Sequence, residues 1–257
     1  MEQDRKTATL GVALGLLGVL MFSGTLPATR FAVRTFDPLF ITFARAALAT
    51  LAAMACLAIM RAPLRANWPS GRIGALLFVG LTMIYGFPAF MALAMQTVPA
   101  AHGGVVVGVI PLVTAVFAVI LAGERPSPLF WLCGVAGAVV IAVFALRDGE
   151  AGLDIGYLWL LFACIIASAG YVVSGKLSRL MQGWEVICWA LVLCAPVTFL
   201  GTALTFSPST LEASVPQVAA LAYLGFGSML LSFFAFNAGM RLGGIARISQ
   251  LQLLQTF

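Results

Sequence analysis

Residues 101–122 read AHGGVVVGVIPLVTAVFAVILA, an apolar run that contains no Asp, Glu, Lys or Arg. A transmembrane helix needs roughly 20 mostly apolar residues, because it must cross a hydrocarbon core of about 30 Å. Lipid offers no hydrogen-bond partners to the backbone, so only helices and closed barrels span it, and barrel strands would be short and alternating. This run therefore predicts a membrane-spanning helix.

Similar runs fill the rest of the chain. The sequence is 62% hydrophobic and 9% charged, with a mean hydropathy of +1.07, whereas soluble domains are about 25% charged. The predicted spans are Thr7–Leu26, Pro38–Met60, Ile73–Gln96, Ala101–Ala122, Pro128–Leu146, Ile155–Ser174, Val186–Phe206 and Gln217–Met240. A ninth begins near Ile245. We therefore expect an all-α polytopic membrane protein.

The basic residues alternate between the two sides of the membrane. One side holds Arg5, Lys6, Arg61, Arg65, Arg72, Arg125, Lys176, Arg179, Arg241 and Arg247, and the other holds Arg30, Arg34 and Arg147. The positive-inside rule places the N-terminus in the cytoplasm, with the chain crossing the cell inner (plasma) membrane. Since these charges do not form one patch, the expected partners are a small-molecule solute and membrane lipid, not nucleic acid. A homodimer is compatible with the sequence.

The two halves of the chain repeat each other. A shift of 145 residues lays Gly11 on Gly156, Ser23 on Ser168 and Gly80 on Gly225, and lays the first five predicted spans on the sixth onward. Because five is odd, the second unit enters the membrane in the opposite sense. Inverted repeats of this kind are typical of secondary transporters, whose solute site lies near the midplane between the repeats. We expect one unit over residues 1–147 and a second over residues 155–257, with a polar linker between them.

The second unit is expected to be truncated. Phe257 corresponds to Leu112 at the 145-residue shift, and the first unit continues from there to Arg147. We therefore expect ten helices in the complete repeat pair, of which about nine are present here. The missing part would be the rest of the ninth helix and the whole tenth.

At three places the sequence resembles the drug/metabolite transporter superfamily in its EamA-type, ten-helix form. These are Arg45 within FARAALA, the segment PAAHGGVVVGVIPLVTAVFAVILAGERPS over residues 99–127, and FNAGMRLGGIARISQLQLLQTF over residues 236–257. Thr256 departs from the family pattern, which usually has a proline there. The resemblance implies export of small metabolites or drug-like compounds, amino-acid-like or amphipathic, by alternating access without a cofactor.

Arg45 is the one ionisable residue well inside a predicted span. Such residues are costly in lipid and are functional candidates by default. Two interpretations stay open: the side chain reaches back to the outer interface, or it faces the interior and binds an anionic group of the solute. Every Asp and Glu lies at a span end or in a loop, so a buried proton relay has no candidate.

Uncharged polar residues within the spans complete the predicted solute site. With Arg45, the candidates are Tyr85, Gln96, Ser168, Tyr171, Asn237, Gln250 and Gln252. Buried amides and hydroxyls need hydrogen-bond partners, which either a solute or a neighbouring helix supplies. Glu124, at the inner end of the fourth span, is either a solvated loop charge or a contact of a cytoplasmic gate.

Two other classes of protein are alternatives to a transporter. An intramembrane enzyme needs a nucleophile and base, or metal ligands, at mid-depth, and the single His102 lies near a span end. We therefore predict no catalytic, cofactor-binding or metal-binding residues. A scaffold or sensor without transport should carry an extramembrane domain, whereas every predicted loop is short.

Overall fold

The computed structural model describes residues 2–62, 70–147 and 155–256, and its regular elements in these ranges are all helical. The α-helices are α1 (Glu2–Ser23), α2 (Thr25–Ala32), α3 (Pro38–Ile59), α4 (Ser70–Val79), α5 (Phe87–Ala94), α6 (Ala100–Val107), α7 (Ile110–Ala122), α8 (Pro128–Arg147), α9 (Ile155–Ser178), α10 (Gly183–Thr205), α11 (Val215–Ala222), α12 (Ser232–Gly243) and α13 (Ile245–Ser249). π-Helical turns cover Gly80–Gly86 and Tyr223–Leu231, and 3-10 turns cover Pro208–Glu212 and Gln250–Thr256.

Seven helical runs of the described residues are long and apolar enough to cross a membrane. They are Thr7–Ala32, Pro38–Ile59, Gly71–Ala94, Ala100–Ala122, Ile155–Ser178, Gly183–Thr205 and Val215–Gly243. These runs confirm the predicted all-α polytopic class. One complete predicted span, Pro128–Leu146, is not among these seven runs and falls on α8. The ninth span, predicted to begin near Ile245, falls on α13, which begins at that residue.

Prolines mark two of the breaks inside these runs. Pro88 lies in the first turn of α5 and Pro111 in the first turn of α7. Proline has no N–H to donate to the preceding turn, so the helix before it cannot continue with an unbroken hydrogen-bond ladder. The π-helical turn Gly80–Gly86 precedes Pro88, and α6 ends just before Pro111. The third and fourth spans are therefore interrupted, and each contains two α-helical pieces.

The structure carries the same irregularity in both halves of the chain. Shifted by 145 residues, the π-helical turn Gly80–Gly86 falls on residues 225–231, within the second π-helical turn, Tyr223–Leu231. π-Helical turns are rare and frequent at functional sites. The two irregular turns therefore lie at equivalent positions of the 145-residue register.

The main packing contacts run between the halves and follow the same register. Helix α1 packs on α12, and α9, the counterpart of α1, packs on α4 and α5. Helices α3 and α10, which also correspond, pack on each other. The hydrophobic core is consequently shared, with Phe22 and Met83 from the first half buried beside Tyr171 and Phe236 from the second.

Helices α1 and α12 approach each other closely through glycines. A Cβ atom at Gly239 would lie 2.8 Å from the backbone nitrogen of Gly15, and one at Gly11 would lie 2.8 Å from that of Gly243. Small residues permit such backbone contact between membrane helices. The Gly11-xxx-Gly15 spacing on α1 therefore serves close helix packing.

The loops gather at two opposite ends of the bundle. At one, which we call the Glu124 end, Arg241 Nη1 donates to Gln182 Oε1 (2.6 Å) and Lys176 Nζ donates to the Leu121 carbonyl (2.7 Å). At the other, the His102 end, His102 Nδ1 lies 3.1 Å from the Tyr157 hydroxyl. Loops that the sequence assigns to one side of the membrane thus contact one another.

Candidate functional site

Arg45 points into the protein interior from α3. Arg45 is only 3% exposed, and its Nη2 donates a hydrogen bond to Ser228 Oγ at 2.9 Å. Ser228 lies in the second π-helical turn, and its hydroxyl is 2.7 Å from Thr25 Oγ1 at the start of α2. The guanidinium is therefore held in the protein interior, where α2, α3 and the second π-helical turn meet.

No carboxylate of the described residues lies within salt-bridge distance of Arg45, and its Nε is buried without a hydrogen-bond partner. A guanidinium carries five N–H donors in a planar fork that matches a carboxylate. Burying a charge without a counter-charge is strongly unfavourable. The surroundings of Arg45 therefore favour an anionic group.

Tyr171 and Gln252 complete the polar part of this region. The Tyr171 side chain, on α9, is close enough to both Arg45 and the Gln252 side chain to interact with them. Gln252, in the last 3-10 turn, is 1% exposed, and its Oε1 has no hydrogen-bond partner. One neighbourhood thus contains an unsatisfied donor on Arg45 and an unsatisfied acceptor on Gln252.

Four aromatic rings lie against this polar group. Phe22 packs edge-on against Phe233 and Phe236, with ring centroids 5.1 Å and 5.7 Å apart. Tyr171 lies 5.3 Å from Phe236 and 6.1 Å from Phe233, so it belongs to both groups. We call the combined set the central cluster: Phe22, Thr25, Arg45, Tyr171, Ser228, Phe233, Phe236 and Gln252.

Three other predicted site residues form hydrogen bonds between helices instead. The Tyr85 hydroxyl donates to the Cys194 carbonyl (2.9 Å), and Ser168 Oγ donates to the Ile110 carbonyl (3.2 Å). Asn237 Oδ1 accepts from Ser174 Oγ (2.9 Å), and Nδ2 donates to the Gly183 carbonyl (3.1 Å). These groups are satisfied by the protein itself.

The last two predicted residues lie at the ends of the bundle. Gln96 is exposed in the turn after α5, and Gln250 lines a cavity of about 590 Å³ at the Glu124 end together with Arg125 and Arg247. Arg45, Tyr171 and Gln252 are therefore the predicted residues that the fold brings together. Sequence analysis missed Thr25, Ser228 and the three phenylalanines, whose only signal was a hydroxyl or a ring within a span.

Glu124 connects three elements at its end of the bundle. Its carboxylate accepts hydrogen bonds from the backbone N–H groups of Ile245 (3.1 Å) and Ala246 (2.9 Å), and pairs with Arg179 Nη2 at 2.6 Å. The two N–H groups belong to the first turn of α13, which has no partner for them inside the helix. We call this arrangement the Glu124 clamp. It joins α7 of the first half to α9 and α13 of the second, so Glu124 is not a free loop charge.

Comparison with known proteins identifies the family. Residues 9–146 and residues 154–257 each match the EamA-like transporter family. This chain belongs to that family. The resemblance to EamA-type members of the drug/metabolite transporter superfamily is confirmed, and the protein is a multi-pass membrane transporter of small-molecule solutes.

Two relatives of this EamA-like transporter cover nearly its whole length. It is 44% identical over 251 residues to the uncharacterized transporter YdeK of Bacillus subtilis (strain 168), covering 97% of this chain and 86% of that protein. It is 28% identical over 251 residues to the aromatic amino acid exporter YddG of Ancylobacter novellus, covering 94% of this chain and 82% of the exporter. A solved crystal structure shares the fold, with a TM-score of 0.72 at 22% identity over 96% of this chain and 84% of that one.

Proposed function

We propose that this transporter exports an amino-acid-like solute that carries a carboxylate and an apolar or aromatic side chain. The observation that carries the proposal is the buried Arg45 guanidinium, which has no carboxylate partner among the described residues and lies beside aromatic rings. An anionic solute group supplies the missing counter-charge. The relative named as an aromatic amino acid exporter supports this solute class.

The central cluster offers a separate partner for each part of such a solute. The carboxylate binds the Arg45 fork, because charge-assisted, two-point hydrogen bonds to a planar guanidinium are strong and directional. The ammonium group donates to Gln252 Oε1, the acceptor that the protein leaves unsatisfied. The side chain packs on Phe22 and Phe233, where edge-on contacts between rings are favourable.

The proposed mechanism is alternating access between two inverted repeats, residues 1–147 and 155–257. The 145-residue register, the matching π-helical turns and the packing of corresponding helices support it. We place the Glu124 end in the cytoplasm, because Arg72, Arg125, Lys176 and other basic residues lie there. The Glu124 clamp then closes the cytoplasmic side, and it must open for a solute to enter from within the cell.

Flux measurements in proteoliposomes test the proposal. Aromatic and aliphatic amino acids, their amides and their deaminated acids are compared in the original protein, Arg45→Ala and Arg45→Lys, with and without a proton gradient. We expect amides, which lack the carboxylate, to be transported poorly. Arg45→Ala should abolish flux, and Arg45→Lys should restore only part of it, because an ammonium lacks the planar fork.

A matched control separates the site from a general loss of positive charge. Arg125→Ala and Arg125→Lys remove or replace an exposed arginine at the Glu124 end, and both should transport like the original protein. Equal flux of acids and amides, or full activity of Arg45→Ala, would show that Arg45 does not bind the solute. Binding of amino acids without flux would instead favour a sensor.

A further inference from the structure

A groove between three helices opens on the outer surface of the bundle near the Glu124 end. It has a volume of about 610 Å³ and lies between α4, α9 and the end of α7. Its lining consists of Gly71, Arg72, Ala75, Phe78, Leu121, Val173, Lys176, Leu177 and Leu180. We call it the α4–α9 groove.

The lining residues follow helical spacing on both walls. Arg72, Ala75 and Phe78 recur along one face of α4, and Val173 and Leu177 lie along one face of α9. Leu180, beyond the end of α9, is 65% exposed, and Phe78 and Leu121 are also exposed. In a membrane these apolar side chains contact lipid, so the α4–α9 groove is open to the bilayer.

Two cationic side chains lie at one end of the α4–α9 groove, one on each wall. Arg72 lies at the start of α4, and Lys176 lies near the end of α9, where its Nζ donates to the Leu121 carbonyl at 2.7 Å. That hydrogen bond holds the ammonium group at the mouth of the groove, because the carbonyl belongs to the last turn of α7.

A second cavity extends the positive charge beyond the groove. It has a volume of about 500 Å³, shares Arg72 and Leu180 with the groove, and adds Arg179, Arg241 and Glu185 to the lining. Glu185 is its acidic member. Because Arg179 is already paired with Glu124, the net positive charge at this end of the groove comes from Arg72, Lys176 and Arg241, and the remainder of the groove is apolar.

We propose that the α4–α9 groove binds an anionic phospholipid. The phosphate of the headgroup contacts Arg72 and Lys176, and an acyl chain lies along Ala75, Phe78 and Leu177. Basic pockets between membrane helices on the cytoplasmic side are suited to anionic headgroups. The site lies at the lipid-facing surface and not in the central cluster, so this inference does not depend on the identity of the transported solute.

Charge and shape favour this occupant over two others. A second copy of the chain would bring the same cations to the same end, and like charges would repel. A zwitterionic phospholipid fits the groove equally well by its acyl chains, but its own ammonium or choline group lies beside the two cations. The proposal therefore requires selectivity for net negative charge.

Native mass spectrometry of the purified transporter tests the site, with phosphatidylglycerol and phosphatidylcholine of identical acyl chains titrated in parallel. The test variant is Arg72→Gln/Lys176→Gln. With about 1 kcal/mol for each basic residue near an anionic surface, the loss of two should weaken phosphatidylglycerol binding on the order of 30-fold. Phosphatidylcholine binding should be weaker at the outset and should change little.

The control variant, Arg125→Gln/Arg247→Gln, removes two exposed arginines at the same end that line a different cavity. It loses the same charge and should bind phosphatidylglycerol like the original protein. An equal loss in both variants would mean diffuse surface attraction, and equal binding of the two lipids would also overturn the proposal. If Arg72→Gln/Lys176→Gln does not fold, Ala75→Trp is the second test variant, because it keeps both cations and fills the groove. Undiminished phosphatidylglycerol binding by Ala75→Trp would refute the site.

Discussion

Replacing Glu124 by glutamine should weaken the contacts that close the Glu124 end, while the side chain keeps nearly the same size. The Glu124 carboxylate uses both oxygens: Oε1 contacts Arg179 Nη2 (2.6 Å) and the Ile245 N–H (3.1 Å), and Oε2 accepts from the Ala246 N–H (2.9 Å). Glutamine offers one oxygen and no charge. In the variant, the NH₂ group takes the place of one carboxylate oxygen and faces a donor that this oxygen accepts from in the original protein. At least one hydrogen bond and the ion pair are therefore lost.

The size of the effect follows from these contacts. Hydrogen bonds to charged groups contribute about 1.5–3 kcal/mol each. The Arg179–Glu124 pair is partly exposed, at 45% and 18% of the two side chains, so its share is well below that of a buried pair. We expect the closed form to lose about 1–2 kcal/mol, which corresponds to a five- to thirtyfold rise in the population of the open form.

Cysteine accessibility measures this population directly. Ser249 is fully buried in α13 beyond the clamp, and Ser249→Cys is a small change. With the five natural cysteines replaced, we expect a membrane-impermeant thiol reagent to modify this position in nanodiscs five to thirty times faster in Glu124→Gln than with Glu124 present. The increase needs no solute, so it is independent of the proposed substrate class.

Glu185 supplies the matched control for this experiment. It is a glutamate at the same end, and it caps its own helix α10 by accepting a hydrogen bond from the Gln182 N–H at 3.2 Å. Glu185→Gln should leave the modification rate at Ser249→Cys unchanged. An unchanged rate in Glu124→Gln, or an equal rise in Glu185→Gln, would refute the clamp as the closing contact.

Three further predictions address the site, the packing and the orientation. Gln252→Leu should raise the KM for amino acids more than that for the corresponding deaminated acids in proteoliposome flux, because only the former need an acceptor for their ammonium group; equal changes would contradict this role. Gly239→Ala should lower the Tm of the purified protein, since overpacking a close contact costs about 1–3 kcal/mol, whereas Gly74→Ala, whose Cβ would meet nothing within 4 Å, should not; equal Tm values would count against the glycine contact. Reporter fusions should be active as a cytoplasmic marker after Arg125 and as an external marker at Gly149, which lies outside the described residues, and an internal location for Gly149 would reverse the assignment of the ends.

Much of the helical framework could be predicted from the sequence because membrane insertion depends on local properties. Hydropathy over about 20 residues marks a span wherever it occurs. The predicted span Pro38–Met60 differs by one residue from α3, which ends at Ile59, and the ninth span, predicted to begin near Ile245, corresponds to α13, which begins at that residue. Ends were less accurate where a polar residue continues a helix, as in α9, which runs to Ser178 instead of Ser174.

The candidate site depended on which helices become neighbours, and no local pattern contains that information. Arg45 meets Ser228 across 183 residues of sequence, and Glu124 meets Ala246 across 122. Asn237 satisfies its amide with Ser174 and Gly183, whereas Gln252 keeps an unsatisfied oxygen, although both amides were equal candidates in the sequence. Polarity and depth are properties of one residue and its span, so the sequence alone determined that Arg45 was costly in lipid. Whether a polar group finds its partner inside the protein depends on the packing of several distant helices, and only the tertiary structure decided it.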